Sequence, residues 1–158
     1  MNGYACELPS DVAGWLLDAI PHQPPFRFID DILALDEEHI VGTYRYREDE
    51  FFYRGHFPGR AVTPGVILME TMVQIGGLAF GIYLHAAAYG NGGIAIPVLT
   101  GIDGAEFLHP VYPGQRVFVR GEKKYFRNRQ LKIGAWMTGA EGQEICRGVF
   151  SGTVGTKI

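Results

Sequence analysis

With 158 residues, 47% of them apolar, the chain is sized for one domain with a substantial core, spanning 1–158, and is too apolar for wholesale disorder. Fourteen Lys and Arg against seventeen Asp and Glu give a formal charge of -3, which argues against nucleic-acid binding. Two cysteines, Cys6 and Cys146, exclude a disulfide scaffold, and read as reduced thiols they point to a cytoplasmic protein. The first residues are acidic rather than basic and carry no apolar run, so they do not read as a secretory signal.

In chain order, residues 11–20 form a helix candidate: Ser10 can cap it, Val12, Leu16 and Ala19 share a face, and Pro21 follows its end. Residues 21–26 hold three prolines and read as irregular. Strands are expected over 26–35 and 40–47, joined by a turn at 36–39. Residues 64–84 are the one long helix candidate, with Pro64 suited to the first turn. The run is nearly all apolar. However, Glu70 and Gln74 interrupt it one turn apart, which is costly in lipid, so no membrane span is expected and the segment reads as a buried central helix. Gly76, Gly77 and Gly81 lower its helix propensity and are expected to admit close approach by strands.

Residues 88–93 read as a loop. Strands then follow over 94–102, 105–108, 115–126, 131–138 and 144–152, separated by turn chemistry at 112–115, 127–129 and 140–142. One antiparallel sheet wrapped around one long helix, an α+β architecture, satisfies this order.

The chemistry concentrates between Tyr53 and Gln74, YRGHFPGRAVTPGVILMETMVQ. It joins a histidine in a Gly- and Pro-rich loop to a glutamate inside the apolar run. From the residues alone the pair is either a structural polar plug or acid–base machinery. Gln74 reads as structural, through its amide. Tyr53 and Phe57 read as packing or pocket groups, and His22 is left unassigned. His39, His85 and His109 are set aside. No metal or other cofactor is expected, because His56 and Glu70 are only two ligands and no clustered His or Cys supplies a third. The glycine-rich patch at 90–93 lacks the Lys and Ser of a phosphate loop.

His56-Phe57-Pro58-Gly59, then Pro64-Gly65-Val66, Glu70 and Gln74, resemble the signature of the beta-hydroxyacyl-[acyl carrier protein] dehydratases of the hotdog fold. Pro21-His22, Pro25-Phe26 and Asp30 before this block extend the likeness. So do Gly101-Ile102-Asp103, Phe107, Pro110-Val111 and Pro113-Gly114 behind it, so that it covers residues 17–150. The resemblance implies a hotdog fold and reversible dehydration of a 3-hydroxyacyl thioester to the trans-2-enoyl thioester. The substrate would hang from the phosphopantetheine of an acyl carrier protein. It places the base on His56, the acid on Glu70 and a carbonyl-binding backbone N–H at Gly65. It further implies a homodimer or trimer of dimers, with the histidine from one chain meeting the acid of the other, and it leaves room for a mixed dimer with a related subunit.

Histidine suits the base role because its reference pKa of roughly 6.5 leaves it neutral yet basic near pH 7. A helix N-terminus offers unpaired N–H groups to an enolate-like oxygen. The acidic carrier calls for Lys or Arg on the docking surface, with Arg60 and the group Lys123, Lys124, Arg127, Arg129 and Lys132 as candidates.

Departures from the family pattern fall at Thr63, where methionine is common, at Gln23, where arginine follows the early histidine, and at Arg27 and Phe28 in place of small aliphatics. They bear on substrate preference and raise an aryl polyene or polyketide-like acyl group beside a fatty acyl chain. The alternatives are a hotdog acyl thioesterase and a non-catalytic partner subunit of a mixed dehydratase dimer.

Overall fold

A computed structural model of the chain describes residues 10–90 and 96–155. The expectations for Cys6, for the capping side chain of Ser10 and for residues 91–95 lie outside what it describes. The first helix, α1 (Ser10–Ala19), buries Leu16 and is followed by the buried Ile20. Strands β1 (Asp31–Leu35) and β2 (His39–Arg45) form a hairpin whose turn is closed by Asp36, with Oδ1 accepting the N–H groups of Glu38 and His39, each at 2.7 Å.

Residues 26–30 do not extend β1 as expected. The Phe28 N–H is taken by the side chain of Gln74 at 2.7 Å, so the middle of this segment is held by the central helix, and bonding to β2 begins only at Asp30, whose N–H reaches Thr43 O at 2.8 Å. A short 3-10 helix, Phe51–Arg54, precedes the histidine loop and was not foreseen.

The central helix begins at Gly65, directly after Pro64, and runs to Tyr89, five residues beyond expectation. It is α-helical over Gly65–Met72 and Phe80–Tyr89 and widens to a π-helix over Val73–Ala79 between them. Gly90, with φ at 77°, ends it. The helix is long and apolar enough to cross a membrane, yet 67% of its apolar window is buried inside the domain, so it is a core helix.

Strands β3 (Ile96–Phe107), β4 (Arg116–Arg127), β5 (Gln130–Gly139) and β6 (Glu144–Gly155) complete a six-stranded antiparallel sheet in the order β1-β2-β4-β5-β6-β3. One strand, β3, replaces the two expected over 94–102 and 105–108. Its pairing with β6 shifts register at Leu99/Gly101 and Asp103/Glu106, and Gly104 at φ 63° absorbs the kink while the ladder continues.

The sheet wraps the helix closely at one point. A Cβ on Gly121 of β4 would lie 2.9 Å from the Gly76 Cα, a backbone-to-backbone approach that admits no side chain. Around it Ile75, Ile133, Met137 and Phe150 fill the core. The α+β architecture expected from the element order is the one observed.

Candidate active site

The histidine loop is tied down by its own backbone. His56 N–H bonds Phe52 O at 3.0 Å, Val62 N–H bonds His56 O at 3.1 Å, and the N–H groups of Phe57 and Arg60 bond each other's carbonyls. The far end is anchored by Thr63, whose N–H reaches Val111 O at 2.8 Å and whose hydroxyl shares a 2.7 Å hydrogen bond with the buried Tyr53. Burial pushes the Tyr53 phenol above its ordinary pKa, which keeps it a neutral hydrogen-bonding group. Thr63, a departure from the family pattern, is thus the partner that fixes the loop. Tyr53 is a packing residue, whereas Phe57 stands 55% exposed and stacks on the His56 ring.

The His56 ring is half-buried, and its Nδ1 lies 2.9 Å from the Val62 carbonyl. A carbonyl only accepts, so Nδ1 carries the proton and Nε2 presents a lone pair. That is the tautomer a general base requires.

Gly65 opens the central helix. The first bonds back to Pro64 O come from Ile67 at 2.9 Å and Leu68 at 3.1 Å, so the Gly65 and Val66 amides precede the intrahelical ladder. A Cβ on Gly65 would sit 3.1 Å from the ring of Phe107, so glycine lets that ring rest against the start of the helix.

Glu70 lies on the helix seam that faces a cavity, with its side chain 24% exposed rather than sealed in the core. Its Oε1 accepts from Gln74 Nε2 at 2.8 Å, and His22 Nε2 stands 3.7 Å from the same oxygen. Among the described residues the His22 Nδ1 is buried without a hydrogen-bond partner. Gln74 is fully buried and spends its whole amide: Oε1 accepts from Phe28 N–H, and Nε2 donates to Phe26 O at 3.0 Å as well as to Glu70. The structural role read for Gln74 is borne out, with the addition that it orients the carboxyl. The spacing of four residues between Glu70 and Gln74 was the available signal for that pairing. The proximity of His22 had no local signal.

Behind Glu70 the cavity, about 290 Å³, runs between the helix and strands β3, β5 and β6. Its walls are Val73, Gly77, Leu78, Leu131, Ile133 and Val154 among others, nearly all apolar. His56 is not one of the lining residues, and among the described residues no hydrogen bond or ion pair joins it to Glu70. The outer edge of the sheet, β3, exposes Val98, Leu99, Ile102 and Phe107, and Leu108 just beyond it, each between 41% and 50%. Of the basic candidates, Lys123 is paired with Glu38 at 2.7 Å and Lys132 with Asp103 at 3.1 Å. Arg127 and Arg129 stack over Tyr125 and Tyr89. Arg60 is exposed beside the histidine loop.

A family model described as a FabA-like domain matches residues 20–148. The chain is 36% identical over 129 residues to the 3-hydroxyacyl-[acyl-carrier-protein] dehydratase FabZ of Thermus thermophilus, covering 82% of this chain and 87% of that protein. It is 32% identical over 142 residues to the FabZ of Bacillus pumilus, covering 89% of this chain and 94% of that protein. Among solved structures, the dehydratase heterocomplex ApeI:P from Xenorhabdus doucetiae matches with a TM-score of 0.74 at 12% identity, over 90% of this chain and 91% of that one. A hypothetical thioesterase with coenzyme A from Streptococcus pneumoniae matches at 0.59 and 17% identity, over 80% and 85%. At those identities the structural likeness speaks to the fold alone.

Proposed function

The chain belongs to the FabA-like domain family and is a 3-hydroxyacyl-[acyl-carrier-protein] dehydratase; from that premise we propose that His56, Gly65 and Glu70 carry the reaction, with histidine and acid supplied by different chains of a dimer. The His56 Nε2 lone pair takes the proton from C2 of the 3-hydroxyacyl thioester. The Gly65 N–H receives the thioester oxygen as negative charge grows on it, helped by the positive end of the helix. The C3–O bond breaks as Glu70 donates its proton, so the hydroxyl leaves as water and a C2–C3 double bond remains. Each turnover moves one proton from Glu70 to the departing water and one from C2 to His56. The next cycle needs the histidine proton to return to the carboxylate, and hydration runs the same path backwards.

Gln74 orients Glu70 for the acid role by donating to Oε1, and His22 Nε2 stands 3.7 Å from the same oxygen. With Oε1 accepting from Gln74, the proton of the carboxyl group resides on Oε2. The observation that carries the two-chain reading is the separation inside one chain. Glu70 lines the apolar cavity, His56 does not, and the apolar edge strand β3 is open to solvent. A second copy pairing along β3 covers that edge, which is otherwise a template for uncontrolled association. The acyl chain then lies in the cavity, with the phosphopantetheine arm passing the histidine loop. The acidic carrier protein docks beside Arg60, since the cluster on β4 and β5 is partly spent on Glu38 and Asp103.

Mass spectrometry of carrier-bound 3-hydroxyacyl thioesters tests this reading. The expected product is lighter by one water and still attached to the carrier, with turnover largely lost in His56→Ala and Glu70→Gln. Release of free carrier thiol instead would make the protein a thioesterase. Activity that appears only with a related subunit would make it one half of a mixed dimer.

A further inference from the structure

We propose that Gly77 sets the depth of the acyl cavity, and that its missing side chain adapts the protein to medium-length acyl groups that extend well past the reacting carbons. This rests on the reading of the cavity as the acyl site. Three glycines punctuate the central helix, and their surroundings differ. Gly76 is needed by the fold: a Cβ there would meet Ile133 Cδ1 at 3.1 Å and Gly121 Cα at 3.5 Å, where helix and sheet touch through backbone. A Cβ on Gly81 would fall into contact with Val154 at 3.4 Å, Leu131 at 3.5 Å and Pro97 at 3.7 Å, and Gly81 does not line the cavity.

Gly77 is different. Among the described residues a Cβ there would find only Val73 Cγ1 at 3.8 Å and Ile133 Cδ1 at 3.9 Å, ordinary van der Waals separations, and both of those residues line the cavity. The residue sits inside a helical segment, where glycine is the least favourable residue after proline. Neither packing nor backbone conformation asks for glycine at 77, and local helix stability argues against it. What a side chain would take away is space in the cavity. Seven residues from Glu70 place Gly77 roughly 10 Å further along the helix axis. A butanoyl group at the reacting carbons ends well short of that level, whereas an extended decanoyl group is just long enough to reach it. The wide turn over Val73–Ala79 brings this stretch of backbone to the cavity wall, so a single side chain at 77 acts as a stopper.

The test compares Gly77→Ala and Gly77→Val with the unaltered protein by calorimetric titration with butanoyl- and decanoyl-pantetheine, together with thermal denaturation. The unaltered protein binds the decanoyl thioester more tightly than the butanoyl one. In Gly77→Val that preference falls roughly tenfold or more, the scale on which a crowded apolar pocket discriminates, with a smaller fall in Gly77→Ala. Gly77→Ala also raises Tm by about 2–4 °C, because alanine removes the helical penalty of glycine. An unchanged preference, no decanoyl preference at the outset, or a lowered Tm in Gly77→Ala overturns the inference. Binding is read without turnover, so a failure to dehydrate any substrate would overturn the proposed reaction while leaving this result to stand or fall by itself.

Discussion

Mixing two inactive variants distinguishes a site shared between two chains from a site contained in each. His56→Ala removes the Nε2 lone pair and the Nδ1 bond to the Val62 carbonyl, and leaves in place the loop bonds of residues 52–63 made by backbone and by Thr63. Glu70→Gln keeps an oxygen to accept from Gln74 but removes the transferable proton. Each change costs one proton-transfer group, about 10²–10⁴ in rate. When the two variants are combined in equal amounts and allowed to exchange subunits, about half the dimers are mixed by random pairing. In a mixed dimer one site receives His56 from the Glu70→Gln chain and Glu70 from the His56→Ala chain, and the other site has neither. One intact site of two, in half of the dimers, restores about a quarter of the unaltered activity. The assay is loss of water from a carrier-bound 3-hydroxyacyl thioester, followed by mass before and after exchange. If the mixture stays at the level of the separate variants although exchange is demonstrated, the pair does not meet across chains, and the two-chain arrangement is wrong.

Gln74→Leu strips the Phe28 N–H, the Phe26 carbonyl and the Glu70 carboxyl of a shared partner. Leaving the Phe28 amide unpaired costs about 1–3 kcal/mol, read as a shift of the urea midpoint, and turnover falls with it because the acid loses its tether. Unchanged stability would contradict the clamp. The Cys146 thiol, buried and beside Glu144, is pushed up to about 12. In a Cys6→Ser background a thiol reagent at pH 8 therefore labels the protein only after unfolding, and rapid native-state labelling would refute this. The sign for stability follows from the same shift. The thiolate forms more readily in the unfolded chain, so this contribution is intact below the ordinary value of 9.0 and declines as pH rises from there toward 12. A Cys146→Ala comparison over that range isolates it.

Much of the molecule was legible from short-range pattern. The start of the central helix after Pro64, the hairpin turn at Asp36, and strands β4, β5 and β6 lie within a few residues of where periodicity and turn chemistry placed them. These features depend on neighbours in sequence, which is why they can be read there. The strand expected over 26–30 failed because Gln74, forty-six residues away, captures the Phe28 amide. The two strands expected between 94 and 108 merged because β6 pairs across the interruption at Gly104. In neither case does local sequence carry the deciding partner.

The site divides along the same line. The sequence by itself determined which groups are available: a histidine in a constrained loop, a glycine at a helix start, a carboxyl one turn from a glutamine, and a greasy helix too interrupted for lipid. Only the tertiary structure decided their state and their company. It put the His56 proton on Nδ1 through the Val62 carbonyl, set His22 beside Glu70, and separated Gly76, pressed against Gly121, from Gly77, open to the cavity. The reason is that a tautomer, an oriented carboxyl and an empty volume are each set by atoms brought together in space. The two adjacent glycines, identical as letters, face a strand backbone in one case and a void in the other.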